Sequence, residues 1–308
     1  MGVYPPGSTF KPGQGLILLE EGIIGLGTPF PCHRGYISGR LKVGCHPHAS
    51  PITLKPALQT SCNAFFCWGL KNMIDRRSKY GTAAEAFEVW KTHLVELGYG
   101  YKLGIDLPGE SRGFIPNAKF YNKVYGEGHW SANTIISVAI GQGEILATPL
   151  QIANLGATIA NRGWFITPHV VKEIEDTVID TKYSEKHRPD IHQEHFNSVA
   201  EGMRMAVTGG TCRLANLPDI EVCGKTGTAQ NPHGRDHSVF LGFAPYHNPK
   251  IAICVYVENA GYGATFGVPI GSLLIEKYLT GKIAENRKYI ETRMLTSNTI
   301  IYSGVKKH

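Results

Sequence analysis

Apolar positions along the chain fall into two regimes. Over the first two thirds they gather in helix-length runs separated by polar or Gly-rich stretches, and over the last third they shorten into strand-length runs bounded by brief polar turns. The first run predicts a helix over 8–22: Pro12 is tolerated near a helix start, where a missing N–H has no intrahelical partner, and "LILLEEGII" supplies the buried face. "TLKPALQ" and "AFFCWGLKNMID" read as two helices flanking "TSCN", and 82–97 reads as another. "TPLQIANLGATIANRG" has a proline near its start and a glycine past its end, and "HFNSVAEGMRMAVTGG" repeats that ending. The polar, His-rich connection between them has room for a short strand at "HVVKEIED". Residues 25–52 are rich in Gly, Pro, His and Cys without apolar period, so they read as a loop organised by something other than a core; 104–148 reads as irregular and Gly-rich.

In the last third, "IEVCGKTGTAQ", "HSVFLGFAPY" and "KIAICVYVEN" predict an antiparallel meander, with "PIGSLLIEKYLTG" as a helix covering one face. Helices, then sheet, then helix, with no internal repeat, predict one mixed α/β unit in which helices flank an antiparallel sheet.

Composition narrows this picture. With 308 residues, 42% of them hydrophobic and 18% charged, the chain can bury a substantial core. Its apolar runs fall well short of the ~20 residues that span a bilayer. The net charge is +6, but Lys and Arg are scattered among acids and form no basic stripe, which argues against nucleic acid. Seven cysteines (32, 45, 62, 67, 212, 223 and 254) are an odd number and exclude a complete set of internal disulfides.

Three short stretches carry candidate chemistry. In "GVYPPGSTFKPG", Ser8 and Lys11 are three apart, so on a helical turn they share a face. A lysine takes a proton at neutral pH only where burial or neighbouring positive charge disfavours its ammonium form, and the first turn of a buried helix offers both. The plainer reading makes Ser8 a helix cap and Lys11 a solvated side chain. Ser61 and Asn63, two apart, converge only if they occupy the turn between the flanking helices; alone they read as turn formers. In "CGKTGTAQ", alternation puts Thr226 and Thr228 on one face beside Lys225, and Gly224 and Gly227 allow close backbone approach. If this strand lines a cleft with its edge, its free N–H groups can bind an anionic oxygen. Each stretch alone is weak.

Together, and in this order, Ser-x-x-Lys, Ser-x-Asn and Lys-Thr-Gly form the signature of serine β-lactamases and penicillin-binding proteins. The chain resembles the transpeptidase domain of class B penicillin-binding proteins, and "YPPGSTFKP", "LQTSCNAFF", "IGQGEILATPLQIAN", "CGKTGTAQN" and "HSVFLGFAP" narrow the resemblance to the cell-elongation type, penicillin-binding protein 2. It covers residues 4 to about 285, leaving 286–308 as a C-terminal tail.

The resemblance implies that Ser8 attacks the penultimate D-Ala carbonyl of a D-Ala-D-Ala stem peptide while Lys11 accepts its proton. Ser61 relays a proton between lysines and the leaving D-Ala, and Asn63 binds the substrate amide. Thr226, Gly227 and Thr228 hold the terminal carboxylate near Lys225, and the N–H groups of Ser8 and Thr228 form an oxyanion hole. An amine on a second stem peptide then takes the acyl group, making a peptidoglycan cross-link. A β-lactam mimics the donor and is trapped on Ser8; no glutamate is recognisable as the hydrolytic base of class A β-lactamases. The rival readings are hydrolysis by the same apparatus, as in a D,D-carboxypeptidase or β-lactamase, and an inert fragment that only binds partners. By the same resemblance the partners are stem peptides, β-lactams, and the glycosyltransferase and scaffold proteins of cell elongation. The full-length family works at the periplasmic face of the inner membrane, needs no organic cofactor, and carries an anchor, a pedestal and opening sheet strands before its serine motif. Here Met1 stands seven residues before Ser8, so the expected sheet lacks its first strands and has an unpaired edge.

The loop "PCHRGYISGRLKVGCHPHASP" crowds Cys32, Cys45, His46 and His48 together, and Cys62 separates Ser61 from Asn63. Three thiolates and one imidazole suit structural zinc. Cys32, Cys45, His48 and Cys62 form the set that resembles zinc sites within the family, with His33 and His46 facing solvent. A Cys32–Cys45 disulfide with surface histidines is the alternative. The remaining cysteines, 67, 212, 223 and 254, lie in apolar segments and read as buried thiols.

Overall fold

A computed structural model of the chain describes residues 1–298, so the last ten residues of the 286–308 tail lie outside the described residues. Near the start of the chain Gly7–Phe10 winds into a short 3₁₀ turn that runs directly into helix α1 (Lys11–Glu20). Every residue from Lys11 to Leu19 is buried, which is the signature of a helix threaded through the interior. Leu16, Ile17 and Leu18 are fully enclosed, each worth roughly 1.5–3 kcal/mol relative to exposure.

The region 25–52 is not all loop. Strands β1 (Gly35–Ser38) and β2 (Leu41–Gly44) pair as an antiparallel hairpin. Four residues per strand are too few to establish a period, and the close approach is made by Gly35, where φ is +150° and an added Cβ would lie 2.4 Å from the Val43 carbonyl oxygen. Helices α2 (Leu54–Thr60) and α3 (Asn63–Ile74) flank the turn holding Ser61, as expected. A short helix α4 (Arg77–Tyr80) precedes α5 (Ala83–Glu96), whose Thr82–Glu85 capping box fixes its start and whose Trp90 indole donates to the buried Gln14 side chain on α1 at 2.7 Å.

Within 104–148 one regular helix stands out, α6 (Ala118–Tyr125), opened by Asn117, whose side chain accepts from the Phe120 N–H at 2.8 Å. Then come α7 (Pro149–Ala160), with Pro149 in its first turn and a Thr148–Gln151 capping box, and α8 (Gln193–Gly209). No strand forms at "HVVKEIED": the segment makes only a single bridge, Ile174 to Thr177, and Val170 and Ile174 are exposed. Its start is held by the Asp106 carboxylate, which accepts the N–H groups of Val170 and Val171, so no second strand stands beside it.

Strands β3 (Cys223–Ala229), β4 (His237–Ala244) and β5 (Ile251–Val257) form the predicted antiparallel meander in the order β3-β4-β5. Lys225 stands opposite Leu241, Thr226 opposite Phe240 and Thr228 opposite Ser238. Among the described residues β3 and β5 are the edges, and β5 pairs only with β4. Successive residues of β4 face opposite sides: Leu241 joins the larger core, close under Gly156 of α7, while Phe240 joins a second core beneath helix α9 (Gly267–Thr280). Helix α10 (Lys288–Thr296) follows, anchored by buried Ile290.

Candidate active site

The free edge of β3, the 3₁₀ turn at Ser8 and the α2–α3 turn converge on a cleft of about 740 Å³, lined by Ser8, Ser61, Asn63, Thr226 and Thr228. Ser61 terminates α2 in the left-handed conformation, φ 59°, and Asn63 opens α3. The kink between two helices therefore lets residues two apart face the same way.

Lys11 and Lys225 are both fully buried. The Lys11 amine lies 2.7 Å from the Ser61 carbonyl oxygen, 2.5 Å from Asn63 Oδ1 and 3.2 Å from Ser61 Oγ. The Lys225 amine reaches the same hydroxyl from the other side, at 2.8 Å, and the Thr226 carbonyl oxygen at 3.0 Å. Burial lowers the Lys11 ammonium to about 8, against the opposing pull of nearby cysteine thiolates. Burial, and then the charge of Lys11, lower Lys225 well below the usual lysine range. Two ammonium groups sharing one hydroxyl in a dry site repel each other, which adds to the lowering of Lys225.

Ser8 Oγ makes no hydrogen bond to Lys11, whose amine is held by Ser61 and Asn63. Ser8 itself sits half-buried on the cleft wall. Catalytic hydrogen bonds are often long without substrate and tighten in the complex.

The β3 edge is aimed into the cleft. The Thr228 carbonyl accepts from the Gln142 side chain at 3.2 Å, on the side away from β4. In an antiparallel strand a residue's N–H and C=O point to the same side, so the Thr228 N–H also faces outward. Gly7, immediately before Ser8, packs against this edge: a Cβ there would lie 2.9 Å from the Thr228 oxygen. The Thr226 hydroxyl donates to Thr211 at 2.8 Å, and the Thr228 hydroxyl accepts from the Gly263 N–H at 3.4 Å.

Sequence reasoning missed Gln142, Thr211, Arg213, Asp236 and Tyr262, which also line the cleft. Gln142 lies within "IGQGE", a stretch already singled out, and Thr211 and Arg213 follow the glycines ending α8; nothing in their own spacing announces the cleft. His46 faces solvent as expected and also lines the cleft, its ring edge-on to Tyr262 at 6.3 Å. His33 is exposed, Cys67, Cys212 and Cys223 are buried, and Cys254 is half-buried.

Behind the α2–α3 turn, Cys32, Cys45, Cys62 and one ring nitrogen of His48 lie within 4.8 Å of one another. All seven cysteines are free thiols, so Cys32 and Cys45 are not bridged. The 3.9 Å between the sulfurs of Cys45 and Cys62 is close to the ~3.8 Å of two thiolates sharing a tetrahedral zinc. His48 Nδ1 is 2.8 Å from the Ala49 carbonyl oxygen, and its Nε2 is buried without a partner. An orphaned imidazole nitrogen among three thiols fits a metal ion. Cys45 Sγ also accepts the N–H groups of Asn63 at 3.1 Å and Ala64 at 3.2 Å, so this cluster touches the α2–α3 turn directly. Hydrogen bonding from Cys62 and then these amides push the Cys45 thiol well down.

A sheet with a free edge aimed at a serine, backed by two buried lysines, defines a serine acyl-transfer fold of the penicillin-recognising kind. The chain belongs to the penicillin binding protein transpeptidase domain family, whose model matches residues 1–275. It is similar to the peptidoglycan D,D-transpeptidase MrdA of Acinetobacter baumannii, 30% identical over 290 residues that cover 86% of this chain and 41% of that protein. Penicillin-binding protein 2 of Pseudomonas aeruginosa, solved in complex with WCK 5153, superimposes with a TM-score of 0.78 at 27% identity over 92% of this chain and 61% of that one. Helicobacter pylori penicillin-binding protein 2, solved in complex with MreC, gives a TM-score of 0.70 at 27% identity over 91% of this chain and 50% of that one. The chain thus spans less than half the length of the curated relative it matches.

Proposed function

We propose that this chain is the acyl-transfer unit of a peptidoglycan D,D-transpeptidase, with residues 1–285 as that unit and 286–308 as a tail. The observation that carries the reading is the Ser61 hydroxyl clasped between two buried lysine amines on the wall of the cleft that also holds Ser8.

In the first half-reaction the Ser8 oxygen attacks the penultimate D-Ala carbonyl carbon of a stem peptide, and its proton passes to the neutral Lys11 amine. The oxyanion accepts the N–H groups of Ser8 and Thr228, each such donor being worth on the order of 10²–10³ in rate. The C–N bond breaks, and the departing D-Ala nitrogen takes a proton through the Ser61 hydroxyl, which the lysine pair replenishes. Asn63 holds the donor's amide, while Thr226 and Thr228, with Gly227 between them, seat its carboxylate near Lys225. An amine of a second stem peptide then attacks the ester, its proton leaves through the same relay, and Ser8 Oγ is released protonated.

Structural zinc on Cys32, Cys45, His48 and Cys62 belongs to the same reading. It supplies no chemistry to the acyl transfer; its part is to tie the Cys/His loop to the turn that presents Ser61 and Asn63. The periplasm is the compartment that such a substrate implies. Partners of the MreC scaffold kind and an elongation glycosyltransferase are assigned by family alone.

A fluorescent penicillin tests the reading. The wild-type chain should acquire one covalent label that decays slowly, and Ser8→Ala should acquire none. A wild-type chain that stays unlabelled sinks the enzymatic reading, and rapid loss of label moves it to a hydrolase.

A further inference from the structure

A second cluster of ligand-type side chains lies where the last residue of α1 meets the start of α8. Glu20 presents its carboxylate to two imidazoles, His192 just before α8 and His195 in its first turn. His192 Nδ1 lies 2.9 Å and 3.0 Å from the two carboxylate oxygens, and His195 Nε2 lies 3.6 Å from one of them. All three ligand atoms fall within 4.8 Å of one another.

We propose that Glu20, His192 and His195 form a second metal site, taking a divalent ion of the zinc class in an open His₂-carboxylate arrangement. With N and O ligands about 2.0–2.1 Å from a tetrahedral ion, ligand atoms stand roughly 3.3 Å apart, and the observed contacts of 2.9 to 3.6 Å bracket that spacing. The carboxylate is already oriented: its side chain is only 14% exposed, and the His192 backbone N–H donates to it at 2.8 Å. A ligating carboxylate fixed by a backbone donor is the usual supporting arrangement of a metal centre. His192 is 74% exposed, which leaves the fourth position to water, and Asp190 and Glu194 add negative charge around it. The site is separate from the thiol cluster: it clamps the far end of the helix whose first residue is Lys11, about 15 Å along the axis at 1.5 Å per residue. Its effect is therefore on the seating of α1 against α8, and not on the acyl-transfer groups.

Zinc ion titrated into the full chain by calorimetry, with bound metal counted after desalting, provides the test. The wild-type chain should bind one equivalent more than His192→Ala and than His192→Ala/His195→Ala, whatever the thiol cluster holds. With the thiol cluster loaded with zinc beforehand, a hundredfold excess over Kd should raise the wild-type Tm by roughly 4 °C and leave both variants unmoved. Penicillin labelling should be the same in all three, which shows that the variants fold. Equal stoichiometry in wild type and variants, or a Tm response retained by them, overturns the site and leaves a Glu–His ion pair only.

Discussion

Ser61 holds φ at 59°, a conformation that costs a side-chain-bearing residue on the order of 1–3 kcal/mol. The strain points its carbonyl at Lys11 and its hydroxyl between Lys11 and Lys225. A lysine here serves as a base only while neutral, and the Lys11 ammonium is lowered to about 8 by burial. The sign follows directly. Below about 8 the ammonium dominates and Ser8 lacks a proton acceptor, so the rate constant of penicillin acylation should rise about tenfold per pH unit up to that point and level off above it. Lys11→Arg keeps the charge but cannot release the proton, so it should lose at least about 10²-fold across the whole range. Stopped-flow acylation between pH 6 and 9.5 checks both; a flat profile with an active arginine variant rules out Lys11 as the base.

At the scale of elements, activity depends on how closely the 3₁₀ turn approaches β3. Gly7 has φ +55°, and a Cβ there would press the Thr228 carbonyl at 2.9 Å, while Gly141 behind it would place a Cβ 2.3 Å from the Gly7 oxygen. Backbone cannot move aside as a flexible side chain does. Gly7→Ala should therefore destabilise the chain by about 1–2 kcal/mol and slow acylation by more than about tenfold, because it displaces Ser8 from the Thr228 N–H. Denaturant melts and labelling kinetics on the same sample separate the two effects, and an alanine variant with wild-type kinetics would show that the approach is not needed. Elements of this kind were unevenly legible in the sequence. The β3–β4–β5 meander and α7 announced themselves by period and by caps. The β1–β2 hairpin did not, because each strand is four residues and its closest contact is a glycine against backbone. The apolar positions of "HVVKEIED" carried a strand's composition but found no partner strand, and tertiary surroundings decide that.

Across the whole molecule, the sequence order of the three motifs says nothing about distance, yet residues 8, 11, 61, 63 and 225 meet because α1 runs through the core between α3 and α8 and the free edge of β3 closes the cleft. Chemistry coded in short spacings was readable; Gln142, Thr211 and Arg213, brought in by the fold alone, were not. The Cys/His cluster links these scales. Cys45 Sγ accepts the N–H groups of Asn63 and Ala64, and Cys62 Sγ that of Phe65, so the first turn of α3 hangs on the thiols. Phe30, Tyr36 and Ile52 seat the loop 25–52 in the core, but without a metal ion the buried Nε2 of His48 has no partner among the three thiols. Purified chain should therefore carry zinc at this cluster by elemental analysis, counted in a His192→Ala background so that the Glu20 site does not contribute. Its removal by a strong chelator should lower Tm and slow penicillin acylation together, because Asn63 and Ser61 lose their fixed position against Lys11. Cys32→Ser, which leaves the backbone N–H groups of Asn63, Ala64 and Phe65 bonded to Cys45 and Cys62, should lower both in the same direction. Metal-free protein with unchanged Tm and unchanged acylation would mean that the hydrogen bonds to Cys45 and Cys62 hold the turn unaided.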